Sequence, residues 1–192
     1  PERLSAVLDI INTAEKSGQI AVVVSAFGGV TDQLIRMIEK AGKGEDSYYE
    51  EFGAFVDRHE EMIQALTSSH RQEILRQSIN QYTSRLSEIL RGVYLVRHVA
   101  PKTYNQILSY GERLSARIIT ACLLERGGEA EFIDARHFVK TDDNYAAGVV
   151  DFELTTMNIR DHFKQHEGTQ IITGFIASNE QNETTTLGRS GS

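Results

Sequence analysis

The sequence predicts an α/β domain in which a mostly parallel sheet lies between two layers of helices, a three-layer αβα sandwich. Short runs of β-branched and apolar residues have the composition of buried strands, and amphipathic helical segments separate them along the chain. Strands that alternate with helices are typical of parallel sheets, because the crossover connections carry the helices. The length of 192 residues, 40% of them hydrophobic, suits one domain or one lobe of a larger domain.

The N-terminal part of the chain predicts a helix, a strand and a second helix in that order. Apolar residues at helical spacing indicate a helix over about residues 2–16, which Gly18 ends. The run QIAVVVS at residues 19–25 predicts a strand covered on both faces. Residues 26–31 then form a glycine-containing turn, and an amphipathic helix follows it as far as residues 41–44.

The middle of the chain predicts an antiparallel helical hairpin over about residues 46–97. Two apolar stripes at helical spacing are separated by a polar turn at residues 68–70. The second stripe repeats at alternating intervals of four and three residues, like the seam of a coiled coil. Because this stretch brings no strand of its own, we interpret it as an insertion into the α/β domain.

The last part of the chain returns to alternating helices and strands. We expect a helix over about residues 102–125, a short strand at 129–133, a long polar loop, a helix capped by Asp151 and a buried strand at 170–176. The tail from residue 178 is rich in Thr, Gly and Asn, and we expect a small hairpin within it.

Charge and cysteine content argue against several classes of protein. The net charge of −7 at pH 7 disfavours nucleic acid binding, because an acidic surface repels phosphate. The single cysteine, Cys122, can form neither an intramolecular disulfide nor a zinc site built on several thiolates, and it suggests a reducing, cytoplasmic setting. No apolar run reaches the length that spans a bilayer, so we expect no membrane partner. His162 and His166 have metal-ligand spacing, but no third ligand is in register, and we predict no metal site.

Residues that follow strands are candidate site residues, because ligands of such folds bind beyond the carboxyl ends of the strands. The turn after the first strand contains Ser25, Gly28, Gly29 and Thr31. The glycines let backbone N–H groups approach a ligand, and the following helix N-terminus favours an anion. Thr31 could cap that helix or form a hydrogen bond with a substrate. An ordinary glycine turn explains the same residues and stays an open alternative.

Glu112 follows Gly111 in a helix whose neighbouring residues are predicted to be buried. A buried carboxylate needs a cationic partner. That partner could be the ammonium group of a substrate, and the alternative is an ion pair with Arg113 or Arg117.

The C-terminal stretch TTTLGRSGS at residues 184–192 combines small hydroxyl residues and glycines with one arginine. Arg189 could hold a carboxylate through two parallel hydrogen bonds, with Ser190, Gly191 and Ser192 around it. A flexible loop whose arginine faces water is the alternative.

Taken together, these stretches resemble the aspartate kinases of the amino-acid kinase family. The matching segments are VVVSAFGGVTDQL at residues 22–34, SYGERLS at 109–115, FVKTDDN at 138–144, TGFIAS at 173–178 and TTTLGRSGS at 184–192. They occur in the family's order and bracket a helical insertion where the family has one. The resemblance covers nearly the whole chain and is nearest to the kinase part of bifunctional aspartokinase/homoserine dehydrogenases.

The resemblance implies transfer of the ATP γ-phosphoryl group to the side-chain carboxylate of L-aspartate, giving 4-phospho-L-aspartate and ADP, with Mg²⁺ accompanying ATP. This reaction is the first step of aspartate-family amino-acid biosynthesis. By the same resemblance, Glu112 binds the α-ammonium group of L-aspartate and Arg189 binds its α-carboxylate. Thr31, Phe175 and Ser192 line the same pocket.

The resemblance also implies that residues 1–192 are the N-terminal lobe of a catalytic domain, and thus an incomplete domain. The family begins with a strand and a Lys-Phe-Gly-Gly-Thr-type loop whose lysine contacts the transferring phosphate, and it continues into a nucleotide-binding half. Neither segment is in this sequence, so we expect no complete set of catalytic residues and no turnover by this chain alone. For the intact protein we expect a homo-oligomer with C-terminal regulatory domains, through which end-product amino acids control the enzyme.

Two other functions remain open. A non-catalytic amino-acid-binding or regulatory module of the same fold would keep the pocket without the phosphoryl-transfer machinery. A related kinase could act on another small acid, such as N-acetylglutamate or a nucleoside monophosphate. Glu112 argues against N-acetylglutamate, because an acylated amine carries no charge.

Overall fold

The computed structural model describes residues 2–188, with the backbone alone at residues 2–3 and 69–71. Within this part of the chain, helices and strands follow one another in the order that the sequence predicts. The helices are α1 (Glu2–Ala14), α2 (Val30–Lys43), α3 (Tyr48–Leu66), α4 (Ser69–Val96), α5 (Pro101–Glu125) and α6 (Phe152–Gln165). The strands are β1 (Ala21–Val24), β2 (Ala130–Ile133), β3 (Thr169–Thr173), β4 (Ile176–Ser178) and β5 (Thr184–Thr186).

The main sheet has the strand order β1-β3-β2, and both pairings are parallel, which confirms the predicted parallel sheet. Successive residues of a strand face opposite sides of a sheet. Ile171 of β3 belongs to the main core beneath α5, whereas Ile172 packs with Ile159 and Phe163 of α6. Helices therefore lie against both faces of the sheet, and every residue of the central strand β3 is buried.

The expectation that residues 19–25 form a strand covered on both faces is wrong. The strand is shorter, Ala21–Val24, and Val23 is 57% exposed. The reason is its place in the sheet: among residues 2–188, β1 is an edge strand, and α6 packs on β2 and β3. A run of valines indicates a strand, but the burial of that strand depends on whether it lies in the centre or at the edge of the sheet.

The strand predicted at residues 170–176 is two strands. β3 ends at Thr173, and Phe175 has a left-handed backbone with φ 61°, which breaks the extended chain. β4 then pairs antiparallel with β5, so the small hairpin expected in the tail is confirmed. The break leaves Gly174 and Phe175 beyond the carboxyl end of the central strand.

The predicted helical hairpin is confirmed as α3 and α4, joined at Thr67 and Ser68. It packs on the helices α2 and α5. Its fully buried residues include Phe55 and Ile63 of α3 and Leu86 and Leu90 of α4. The hairpin is thus a helical addition to one side of the sheet domain. The predicted cap of α6 is also present, since Asp151 accepts a hydrogen bond from the Leu154 backbone N–H at 2.9 Å.

Candidate functional site

The carboxyl ends of β1 and β3 meet the middle of α5, and this junction brings Glu112 next to the turn that follows β1. The Gly174 N–H donates to the Val24 carbonyl at 2.8 Å, which joins the two strand ends. The Ala26 N–H donates to Glu112 Oε1 at 3.3 Å, and Ser115 Oγ donates to the Ser25 carbonyl at 2.7 Å. α5 is therefore held against the turn that follows β1.

Gly111 permits this close approach of α5, as the sequence predicts. A Cβ added at Gly111 would lie 2.8 Å from the Cβ of Ala26, and 3.4 Å from atoms of both Leu34 and Val30. Any larger residue would push α5 away from the turn. The glycine therefore sets how deeply the next residue, Glu112, is placed beneath the strand ends.

Glu112 is a buried carboxylate without a cation among residues 2–188. The residue is 2% exposed, Oε1 accepts a backbone hydrogen bond from Ala26, and Oε2 is buried with no hydrogen-bond partner in the described part of the chain. Burial raises the pKa of this carboxyl to about 7, because removal from water disfavours the charged form. An unpaired buried carboxylate is unusual, and a cationic ligand would compensate it.

The alternative that Arg113 or Arg117 neutralises Glu112 is wrong. Arg113 Nε lies 3.5 Å from Asp134 Oδ2, and its guanidinium group stacks on the ring of Tyr110. The Arg117 guanidinium group lies 4.0 Å from the centre of the Phe132 ring. Residues one and five positions apart on a helix point in different directions, so neither arginine pairs with Glu112.

Asp134, directly after β2, forms an ion-pair network with Arg113 and Arg136. Arg136 donates to both of its carboxylate oxygens, at 2.9 and 2.6 Å, and to Thr184 Oγ1 at 2.8 Å. Burial raises the pKa of Asp134, but the guanidinium groups of Arg136 and Arg113 outweigh it and hold the pKa below its ordinary value. The network joins β2, α5 and β5 around the site.

The turn after β1 leads directly into α2. Gly29 has φ 81° and is the N-cap residue of α2, where no side chain caps the helix. The expectation that Thr31 caps α2 is therefore wrong: Thr31 is the second residue of the helix, and it is half-buried. The Gly28 carbonyl accepts a hydrogen bond from Arg58 Nη2 of α3 at 2.5 Å, a contact that nothing in the local sequence indicates.

Phe175 and the β4–β5 hairpin complete the described side of the site. Phe175 is half-buried against the main core, and its carbonyl accepts a hydrogen bond from the Leu187 N–H at 2.9 Å. Thr186 Oγ1 donates to Asn105 Oδ1 of α5 at 2.8 Å. Arg189, Ser190, Gly191 and Ser192 lie outside the described residues.

A cavity of about 510 Å³ opens beside the turn, between α1, α3 and α5. Phe27, Gly28 and Arg58 line it, together with apolar residues such as Met62 and Ile119. Glu112 does not line this cavity. The cavity lies on the α3 side of the turn, where Arg58 contacts Gly28.

Residues 2–188 contain no cluster of three or more side chains that could hold a metal ion. His162 and His166 stack on each other with ring centres 4.2 Å apart, and they bond to Gln170 and Glu131 respectively. In the same part of the chain, no helix combines the length and the apolar character that crossing a membrane requires.

The profile of the amino acid kinase family matches residues 1–192. The chain belongs to the amino acid kinase family. It is 32% identical over 194 residues to an aspartokinase of Chlamydia pneumoniae, which covers 100% of this chain and 39% of that protein. It is 29% identical over 195 residues to the chloroplastic bifunctional aspartokinase/homoserine dehydrogenase 1 of Arabidopsis thaliana, with 100% of this chain and 21% of that protein covered.

The fold also matches that of a solved aspartokinase structure. E. coli aspartokinase III, in complex with aspartate and ADP in its R-state, superimposes with a TM-score of 0.84 at 24% identity, over 99% of this chain and 41% of that chain. At this identity the match establishes a shared fold. The chain thus spans between a fifth and two fifths of the length of these relatives.

Proposed function

We propose that this chain forms the L-aspartate-binding part of an aspartate kinase, which transfers the ATP γ-phosphoryl group to the side-chain carboxylate of L-aspartate. The observation that carries the proposal is the buried Glu112, whose Oε2 has no partner among the described residues. In the free protein this carboxyl is half protonated near pH 7. A substrate ammonium group would supply the missing charge and the missing hydrogen bond.

The remaining groups of the amino acid are assigned to residues around the same strand ends. Arg189 would hold the α-carboxylate, and Thr31, Phe175 and Ser192 would line the pocket. Ser25, Gly28, Gly29, Ser190 and Gly191 would form the supporting loops. What supports this assignment is that Leu187, two residues before Arg189 in the sequence, bonds to Phe175, and that Phe175 follows the strand whose end is bonded to Val24.

The chemistry of the proposed reaction needs positioning and charge neutralisation more than a general base. An ionised carboxylate oxygen is already a nucleophile; it attacks the γ-phosphorus, and the bond to the β–γ bridging oxygen breaks to release ADP. The obstacle is the repulsion between two anions. Backbone N–H groups of the Gly28–Gly29 turn and the N-terminus of α2 are suited to reduce that repulsion.

We assign most of the ATP and Mg²⁺ site, the regulatory domains and the contacts of a homo-oligomer to parts that this chain does not span. This assignment is consistent with the share of the relatives' length that the chain covers. The 192-residue chain is expected to bind L-aspartate and to release no ADP in a coupled assay. Aspartate-dependent ADP release by this chain would contradict the assignment of the ATP site to other parts of the protein.

The proposed site is tested by calorimetric binding of ligands that differ by one charged group. We expect the protein to bind L-aspartate at least tenfold more tightly than succinate, which lacks the ammonium group, or N-acetyl-L-aspartate, whose amine is neutral. Glu112→Gln should abolish this preference. Glu129→Gln, at an exposed position, is the matched control and should keep it.

Two results would contradict the proposal. Equal affinity for L-aspartate and succinate in the wild-type protein would show that no carboxylate recognises the ammonium group. Binding of L-aspartate without aspartate-dependent ADP release by the intact protein would instead favour the non-catalytic amino-acid-binding module.

A further inference from the structure

We propose that Arg58, on the helical insertion, is a positioning residue that fixes the glycine turn of the proposed aspartate site; this inference rests on the proposed function. The insertion would then be part of the site's support, in addition to any contact it offers to another subunit. Arg58 lies 30 residues beyond Gly28 in the sequence and reaches it only through the packing of α3 beside α2.

The contact of Arg58 with the turn is direct. Arg58 Nη2 donates to the Gly28 carbonyl at 2.5 Å, and Nη1 lies 3.7 Å from the position that a Cβ of Gly29 would occupy. In a planar trans peptide the carbonyl and the following N–H point in opposite directions. Holding the Gly28 carbonyl toward α3 therefore directs the Gly29 N–H away from α3.

A pair of adjacent glycines needs such an anchor. Glycine has more backbone freedom than any other residue type, and Gly29 occupies a left-handed conformation. Within the turn, the Val30 N–H bonds to the Phe27 carbonyl at 2.9 Å, which leaves the orientation of the Gly28–Gly29 peptide to other contacts. The hydrogen bond from Arg58 supplies that orientation from outside the turn.

The helix that carries Arg58 is itself held rigidly. The neighbouring His59 is 1% exposed, its ring centre lies 4.4 Å from that of Phe55 and 6.0 Å from that of Phe27 in the turn, and its Nδ1 bonds to the Phe55 carbonyl at 2.7 Å. On the next turn of α2, Gln33 Nε2 donates to the Glu51 carbonyl of α3 at 3.1 Å. These contacts fix α3 against both the turn and α2.

The charge of Arg58 suits the same role. The guanidinium group lies beside the N-terminus of α2, where Gly29 offers no side-chain cap, so both the arginine and the helix end place positive charge at the turn. The proposed ligands of the turn, a carboxylate and a phosphoryl group, are anions. Arg58 therefore both orients the peptide and favours the charge that the peptide would meet.

The test compares Arg58→Ala, Arg58→Lys and the control Arg85→Ala, which removes the same charge from an exposed position of the same insertion. Calorimetry measures L-aspartate affinity, and ¹⁵N relaxation measures the order of the Gly28 and Gly29 amides without ligand. We expect Arg58→Ala to weaken binding about fivefold to tenfold, because the Gly28–Gly29 peptide must then be ordered when the ligand binds. We expect its Gly29 amide order parameter to fall from about 0.85 toward 0.6.

The two controls separate positioning from general damage. Arg58→Lys keeps a charged donor and should restore affinity to within about twofold of wild type, while Arg85→Ala should change neither measurement. The inference is overturned if Arg58→Ala matches Arg85→Ala in both affinity and amide order. If the wild-type protein binds no L-aspartate, the proposed function fails, and the amide order alone decides whether Arg58 anchors the turn.

Discussion

Replacing Glu112 by glutamine should stabilise the free protein at high pH. Glutamine has the same shape, and its carbonyl oxygen can still accept the hydrogen bond from the Ala26 N–H. What it removes is the negative charge that the fold buries without a partner among the described residues. The substitution thus isolates the cost of that charge from the cost of lost packing.

The magnitude follows from the pKa of Glu112. The folded pKa of about 7 lies above the ordinary value of 4.5. The folded state therefore binds more protons than the unfolded state between these two values, and the stability of the wild type falls as pH rises through that window. The full loss is about 3 kcal/mol, of which about 1 kcal/mol is already present at pH 5.

Urea unfolding of the wild type and Glu112→Gln at pH 5 and pH 8.5 measures this difference. We expect the variant to be more stable by about 1 kcal/mol at pH 5 and by about 3 kcal/mol at pH 8.5, or about 6–12 °C in Tm at the higher pH. Glu129→Gln, at an exposed site, should show no such pH dependence. A gain for Glu112→Gln that is the same at both pH values would refute the buried, unpaired charge.

Three further predictions concern the same region. Gly111→Ala should destabilise the protein by about 1–3 kcal/mol in thermal unfolding, because the added Cβ would lie 2.8 Å from the Cβ of Ala26. The control Gly92→Ala, in α4, meets no atom within 4 Å and should stabilise the protein by about 0.5–1 kcal/mol. Equal effects of the two substitutions would contradict the packing of α5 on the turn. Asp134→Asn should lower the free energy of unfolding by about 3 kcal/mol in urea at pH 7, because it removes the buried carboxylate that pairs with Arg113 and Arg136. A loss below about 0.5 kcal/mol would show that water screens these ion pairs. Calorimetric affinity for L-aspartate should rise about tenfold from pH 6 to pH 8, because binding requires ionised Glu112, and a pH-independent affinity would contradict this role.

Elements with strong periodicity could be predicted from the sequence. The two apolar stripes of residues 46–97 correspond to α3 and α4, because a helix needs only local spacing to reveal its buried face. Asp151 could be recognised as a cap for the same reason, since the bond to Leu154 is local. The exposure of β1 could not be predicted in this way, because the burial of a strand depends on its neighbours in the sheet.

The same distinction between local sequence patterns and long-range contacts applies to the candidate site. Gly111 and Glu112 could be singled out from composition, since a glycine and a carboxylate in an apolar helix are both unusual. That neither neighbouring arginine neutralises Glu112 could not be predicted from spacing: Arg113 is adjacent in sequence but pairs with Asp134, 21 residues farther along the chain. The contact of Arg58 with Gly28 could not be predicted from the sequence, because it forms only when α3 packs beside α2.

The measurement that tests the central claim most directly is a ¹³C NMR titration of the Glu112 side-chain carboxyl, with and without saturating L-aspartate. In the free protein the midpoint should lie near pH 7, because burial disfavours the anion. With L-aspartate bound, the nearby ammonium group should keep the carboxylate ionised and move the midpoint down by at least about 1 pH unit. A midpoint that L-aspartate leaves unchanged would show that no ammonium group meets Glu112.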